Sequence, residues 1–370
     1  MKNNTIKNKI MQEVVSEKEI KKLAEKYGYA DTGRKVTAYS LYQYYMVSSM
    51  DEAKSQRDLA SRGVMNGLVK VDHTSLSKKS KEVPYEIYLE TCQNIVSKSN
   101  RAVRRKVTPE YNRIVKAIDT TRVVEHSGKW EWASYKQGSS GIKLHVSRLA
   151  ESDIPSEIFI SEINAAETSN LTKFGDSDAC ILADRGFTSI QKMCELDNQG
   201  QEFVIRILNH TSILNAIDFD PSTPAGYTDV LCTLGIDPKI PAKYRKHQFR
   251  VVTFDGSNGE RVTLCTNIVD LYSTEIADLY RLRWSIETFF KTFKQNFNVK
   301  RIFGTSRNAV FSQAIIAFLV CTVFSVLFAF ARDNNFFSSK NSFSFVEFVR
   351  FIKYNTLHFY IDKPLLWTFY

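Results

Sequence analysis

Residues 314–331, AIIAFLVCTVFSVLFAFA, form an unbroken apolar run without a single charge. A helix that is apolar on every side belongs either in the middle of a large core or in a bilayer, and this run is just long enough for either. It carries the small or polar residues Ala314, Ala317, Cys321, Thr322 and Ser325, and the chain has no second run of the kind. Both facts favour a buried core helix over a membrane span. A chain of 370 residues exceeds one ordinary domain, so two or three units are expected, at least one with a large core.

The overall composition, 43% hydrophobic and 24% charged, is that of a folded protein, but the formal net charge of +10 favours a polyanionic partner, nucleic acid or an anionic membrane face. Cys92, Cys180, Cys194, Cys232, Cys265 and Cys321 are scattered, with no histidines at zinc-ligand spacing. That argues against structural zinc and a disulfide scaffold, and for a reducing cytoplasm. The opening MKNNTIKNKIMQEVV has no apolar core of a signal peptide.

Residues 1–112 read as helical and basic. Ser16 caps EKEIKKLAEKY, and a tyrosine-rich tract follows from Ala38 to about Met50. SQRDLASRG, a short turn and DHTSLSKKSKE then give two short helices, the second beginning at Asp72 or Thr74 and carrying Lys78, Lys79 and Lys81. This is a loose helix-turn-helix pattern whose plain alternative is a solvated basic helix. The cluster RAVRRKV at 101–107 looks like a connector. From Arg113 short apolar runs resemble buried strands: RIVKAID, IKLHV and ACILAD, two of them ending in Asp119 and Asp184. EFVIRI, HQFRVVTF and RVTLCTNI make 188–272 largely β. Helical periodicity returns for 273–335, and 336–370 forms a C-terminal helical segment.

An aspartate closing a hydrophobic strand either caps a turn or binds a cation, because a buried carboxylate needs a partner. The segment TEIADLYRLRWSIETFFKTFKQNF shifts the balance toward a site. Tyr280, Arg283, Glu287 and Lys294 fall within about 60° of one another on a helix, with Lys291 beside them. Glu287 and Lys291 are also an ordinary i, i+4 pair. Yet Trp284, Ile286, Phe289, Phe290, Phe293 and Phe297 make the helix apolar over much of its surface, which suits a buried helix with a polar functional stripe.

The spacing Tyr280-x2-Arg283-x3-Glu287-x6-Lys294 resembles the YREK signature of bacterial insertion-sequence transposases of the DDE, RNase H-like type. Ile118-Asp119-Thr120-Thr121 and Ala183-Asp184-Arg185-Gly186-Phe187 resemble that family's two aspartate motifs. Gly141-Ile-Lys-Leu-His145 and Gly304-Thr-Ser306 resemble two further segments. The resemblance covers about Ile114 to Phe330. It implies an α/β, RNase H-like mixed-sheet core, divided into 113–187 and 273–335 by a β-rich insertion at 188–272, after a helical N-terminal DNA-binding domain. Glu287 lies 103 residues beyond Asp184, which leaves room for that insertion.

The resemblance further implies that Asp119, Asp184 and Glu287 are catalytic and hold two Mg²⁺ ions, for which Mn²⁺ can substitute. Tyr280, Arg283, Trp284, Lys291, Lys294, Arg185, Lys78 and Lys79 are then the candidate DNA contacts, and Lys143 and His145 support Asp119. The expected partner is double-stranded DNA, both terminal inverted repeats and target, bound by a dimer in the cytoplasm, at the nucleoid. In relatives that excise through a hairpin, an aromatic residue of the insertion holds a flipped base. None of Trp130, Trp132, Trp284 and Trp367 lies in 188–272, which leaves Phe203, Tyr227, Tyr244, Phe249 and Phe254 as substitutes. The alternatives are a catalytically silent, transposase-derived DNA-binding protein and a membrane-anchored protein.

Overall fold

The protein is described by a computed structural model covering residues 11–104, 111–235, 244–333 and 344–354, apart from positions 12, 151, 153, 245 and 257. Five helices come first: α1 (Glu17–Lys26), α2 (Ala38–Asp51), α3 (Gln56–Met65), α4 (His73–Glu82) and α5 (Tyr85–Arg104). Ser16, Thr37, Ser55 and Asp72 cap the first four through their side chains, giving the free amides of each first turn an acceptor. The connector 101–107 lies partly, and the segment 336–370 mostly, outside the described residues.

Nine strands then form one mixed sheet among the described residues. They are β1 (Ile114–Glu125), β2 (Ser140–Leu149), β3 (Pro155–Glu162), β4 (Ala179–Ala183), β5 (Phe203–Arg206), β6 (Ile213–Asp218), β7 (Tyr227–Leu234), β8 (Gln248–Asp255) and β9 (Arg261–Thr266). Their order is β3-β2-β1-β4-β5-β9-β8-β7-β6, with β1, β4 and β5 parallel to one another and every other pairing antiparallel. Strand periodicity divides the core. In β4, Cys180 and Leu182 join Val204, Leu264 and Ile276 on one face, while Ile181 and Ala183 join Phe187, Met193 and Phe203 on the other.

Two expectations about independent units change here. The stretch 188–272 does not stand apart: helix α6 (Ile190–Asn198) leads into β5, which pairs with β4, and β9 pairs with β5 through Val204 and Thr266. An unpaired β5 edge would leave backbone amides and carbonyls without partners, and the inserted strands β6–β9 satisfy it by extending the same sheet.

The second change concerns the N-terminal helices. After the sheet come α7 (Ser273–Arg281), α8 (Trp284–Asn296), α9 (Arg307–Asp333) and α10 (Phe345–Tyr354). Helix α9 contains the apolar run and is buried over nearly its whole length, packed against α2, α4, α5 and α10. One continuous core therefore joins Tyr42, Tyr88 and Ile95 to Phe318, Phe324 and Val349. A helix apolar all round needs cover on every side, and the described N-terminal helices supply it, sharing its core. Helix α5 is tied to β3 as well, with the Asn100 side-chain amide donating to Pro155 O at 3.1 Å and Ser156 O at 2.9 Å. Gly63 lets α3 approach α2 closely, since a Cβ there would collide with the Tyr44 ring.

Candidate active site

Asp119 does not end its strand, as the sequence reading expected; it lies in the middle of β1, opposite Val146 of β2. The strand continues because Thr120–Glu125 keeps pairing with β2. On the other side the parallel pairing stops at Ile118 and Ala183. Asp119 therefore sits at a step in the sheet, beside Asp184, which follows β4 directly; adjacent strands lie about 4.8 Å apart. Here a side chain can leave the sheet without displacing a neighbouring strand.

The third carboxylate arrives on α8. The expected single helix from 273 onward is two helices joined by a tight turn at Leu282–Arg283. There Leu282 N donates to Leu279 O at 3.0 Å, Arg283 N to Tyr280 O at 3.1 Å and Ile286 N to Arg283 O at 3.1 Å. These three-residue bonds are the 3₁₀ pattern. The turn still brings both helices to the same place: Tyr280 Oη donates to Asp184 Oδ1 at 3.2 Å, and Arg283 Nη2 donates to Glu287 Oε1 at 2.6 Å.

Burial pushes the Asp119 carboxyl up to about 6. The Thr120 amide, donating to Oδ1 at 2.7 Å, and the Arg283 charge oppose the rise, while Asp184 and Glu287 add to it. Three carboxylates thus share a partly buried space with one guanidinium, so negative charge is in excess. That excess, with hard oxygen donors only, fits a divalent cation of the Mg²⁺ type. Among the described residues no three carboxylate, histidine or cysteine groups are gathered tightly enough to grip an ion as they stand. Arg283, 6% exposed and with its Nε unpartnered among the described residues, holds Glu287 in an ion pair.

The signature residues divide by orientation. Tyr280 and Arg283 point inward, spent on Asp184 and Glu287, with the guanidinium 5.4 Å from the tyrosine ring. Where the sequence reading expected exposed phosphate contacts, the structure pairs both side chains with buried acids, which need partners. Lys79 is likewise withdrawn, 7% exposed and ion-paired to Asp31 beside the Tyr29 ring, because α4 turns Leu76, Lys79 and Ser80 toward the core. Outward-facing are Trp284, 65% exposed, Lys291, Arg185 and Lys78, with Lys294 half-buried.

Lys143 and His145 both lie behind Asp119 on β2. His145 is fully buried between Thr120 Oγ1 at 2.9 Å and Ser161 Oγ at 2.8 Å, and burial holds its imidazole neutral, down to about 4. Lys143 donates to Ala165 O at 2.8 Å and pairs with Glu167 at 3.3 Å. Glu167 also meets Arg122 at 3.4 Å and lies where a side chain on Gly186 would fall. Sequence reasoning missed Thr120, Arg122 and Glu167 as neighbours of the site. Thr120 and Arg122 carried a signal, being one and three residues past Asp119, but Glu167 carried none.

The segment Gly304–Ser306 is fastened by Trp130 and Trp132, whose indole N–H groups donate to Gly304 O at 3.0 Å and Thr305 O at 2.7 Å. The aromatics suggested for a flipped base fare differently. Phe203, Phe249, Phe254 and Tyr244 are core residues, and Tyr227 is half-buried and stacked on Phe254.

The sequence profile of the family described as Transposase DDE domain matches residues 110–323. The chain belongs to the DDE transposase family. It is 32% identical over 361 residues to a protein of Geobacillus stearothermophilus named as a probable transposase for insertion sequence element IS5377, covering 94% of this chain and 90% of that protein. Among solved structures it aligns with the piggyBac transposase synaptic complex with hairpin DNA at a TM-score of 0.49 and 12% identity, over 99% of this chain and 84% of that one. The mixed α/β sheet is consistent with the RNase H-like core of this transposase family.

The raised Asp119 carboxyl gives this transposase a pH signature. Folding favours the protonated form, so the stabilising contribution is complete below the ordinary aspartate range near 3.8 and is lost as pH rises through about 6. Without metal, Asp119→Asn is expected to melt higher than wild type at pH 8, by at most about 3 kcal/mol, with the gap closing toward pH 4. Thermal melts in EDTA across that range check it. A gap that stays constant with pH would mean that Asp119 carries no such burden.

Proposed function

We propose that the protein binds the terminal inverted repeats of an insertion sequence and, with divalent metal, cuts and rejoins DNA at those ends in cut-and-paste transposition. The observation that carries this reading is the placement of Asp119 and Asp184 side by side at a step in the sheet, with Glu287 brought into the same field by α8.

Asp119, Asp184 and Glu287 would hold the divalent ions, with Asp119 central between the other two carboxylates. Bound there, two Mg²⁺ ions, or Mn²⁺ in their place, would supply Lewis-acid activation of an attacking oxygen and stabilisation of a leaving one. Before they bind, Arg283 keeps Glu287 oriented and Tyr280 keeps Asp184 oriented, while neutral His145 fixes Thr120, whose amide holds Asp119. Trp284 offers an exposed ring for a base freed at the cut, and Lys291, Lys294 and Arg185 offer charge to the backbone. Helix α4, with Thr74, Ser75, Lys78 and Lys81 outward, is the surface proposed to read the repeat. Action on paired ends requires a dimer on DNA.

The direct test incubates a duplex ending in the element's terminal repeat with the protein in Mg²⁺, Mn²⁺ or EDTA, followed by a target plasmid. Nicked and joined products in either metal and none in EDTA are expected. Binding without cleavage in both metals would leave the catalytically silent reading.

Orientation separates two signature residues. Lys294→Ala should lower the slope of log affinity against log salt by about one unit, as loss of a phosphate contact does. Arg283→Ala should leave the slope near wild type and reduce cleavage instead, because its charge is spent on Glu287. Salt titrations of end binding in EDTA read both, and a full unit lost with Arg283→Ala would return that residue to the DNA surface.

A further inference from the structure

A second basic feature lies at the far end of β1 from Asp119 and was not suggested by any motif. An open cleft of about 650 Å³ lies between the end of β1 with its following turn, the loop entering α3, and the segment after α8. Lys54, Lys129, Lys300 and Arg301 line it with positive charge. Its one carboxylate, Glu125, is turned into its own loop, accepting from Ser127 N, Ser127 Oγ and Lys129 N. Among the described residues Lys54, Lys300 and Arg301 are exposed and form no ion pair, and Lys129 Nζ donates only to the Ile302 carbonyl, at 3.1 Å. Four cations against one carboxylate leave the cleft with an excess of positive charge, an arrangement that suits a polyanion.

The cleft and the candidate active site share strand β1, with Val124 and Glu125 lining the cleft five and six positions after Asp119. Lys294 is held below the ordinary lysine range by burial and then by Lys300 and Arg122, while Asp119 draws it the other way. Positive side chains therefore run from Asp119 through Lys294 to Lys300. The far wall of the cleft is the start of α3, the first helix of the helix-turn-helix pattern, and that wall is fixed to the signature helix. The Asn298 side-chain amide, just past α8, donates to Ser48 O at 3.0 Å and Ala53 O at 3.2 Å. The distance between the cutting site and helices α3 and α4 is thereby set by the fold.

We infer that this cleft binds the phosphate backbone of the transposon end, on the duplex between the cut and the segment read by α4. It rests on the reading of the chain as an end-cleaving transposase, and it assigns Lys54, Lys300 and Arg301 as phosphate contacts. Neutralising them should weaken end binding without touching the carboxylates.

The test uses the full chain with Lys54→Gln, Lys300→Gln and Arg301→Gln combined, against a control that also loses three charges, Lys18→Gln, Lys21→Gln and Lys22→Gln on α1. All six side chains are exposed, so melting temperatures should match wild type. Binding is measured in EDTA across a salt series on a labelled duplex carrying the element's end. The cleft variant should lose about three units of salt slope and the control much less. Neutral methylphosphonates placed just inside the cut should weaken wild type and leave the cleft variant nearly unaffected, since contacts already lost cannot be lost again. Equal slopes for the cleft variant and wild type would overturn the inference, as would intact end binding with loss only of joining to a target plasmid. Failure of wild type to bind or cut the end at all would instead sink the transposase reading beneath it.

Discussion

Asp119→Asn, Asp184→Asn and Glu287→Gln are each expected to reduce end cleavage in Mg²⁺ by roughly 10³-fold or more, the scale seen when one member of a group acting as a unit is removed. Each substitution keeps shape and one acceptor oxygen, and removes one negative ligand. End binding in EDTA should survive all three, because none removes a positive charge. The variants should also differ from one another. Glu287→Gln releases the Arg283 guanidinium from its 2.6 Å partner and leaves a buried cation short of charge, so it should destabilise the metal-free protein. Asp119→Asn should do the reverse, relieving a carboxyl that burial disfavours. Cleavage rates paired with melting curves read both effects. Near wild-type cleavage in any one variant would remove that residue from the site.

The second large effect lies away from the carboxylates. Arg250 on β8 is 1% exposed and grips Asp229 of β7 through two bonds, at 2.9 and 2.7 Å. Its remaining Nη1 donors reach Ile268 O at 2.9 Å and Leu271 O at 2.7 Å, in the loop that enters α7. Phe219 packs on the guanidinium, with its centroid 4.2 Å away. Arg250→Ala would leave Asp229 charged, buried and unpaired, along with two loop carbonyls, and should cost about 3–5 kcal/mol. The same pair tethers the inserted strands to the helix that carries Tyr280. Cleavage should therefore fall even at temperatures where the variant remains folded. Replacing both partners, Arg250→Met with Asp229→Leu, should recover much of the stability but not the hold on the loop. Urea melts and cleavage assays on the single and double variants give both readings. A single variant within about 1 kcal/mol of wild type would show that the pair is dispensable, since that is the range of exposed ion pairs.

Much of the candidate site's residue arrangement was legible in the sequence because it was written as local spacing. A YREK step of three, four and seven, and an aspartate after each of two apolar runs, place chemical groups on known elements, and helix and strand geometry then bring them near one face. The caps at Ser16 and Asp72 and the strands at IKLHV and ACILAD were local in the same sense. The apolar run at 314–331 was readable as a core helix, because its small residues suit packing against other helices.

Which side each residue faces was decided only in three dimensions. Spacing placed Tyr280 and Arg283 with Lys294, but the 3₁₀ turn at Leu282–Arg283 and the need to pair buried acids turned the first two inward. Lys78 and Lys79 are adjacent in sequence, yet one is solvated and the other is bound to Asp31, 48 positions earlier. Domain limits also depended on distant contacts. An apolar helix near position 320 recruits helices from before position 105, and an exposed β5 edge recruits strands that composition alone presents as a separate unit. The sequence by itself therefore determined the type and order of the chemical groups. Burial and backbone pairing between remote segments decided their partners, their exposure and the shape of the basic path between them, because those energies depend on contacts that no local spacing encodes.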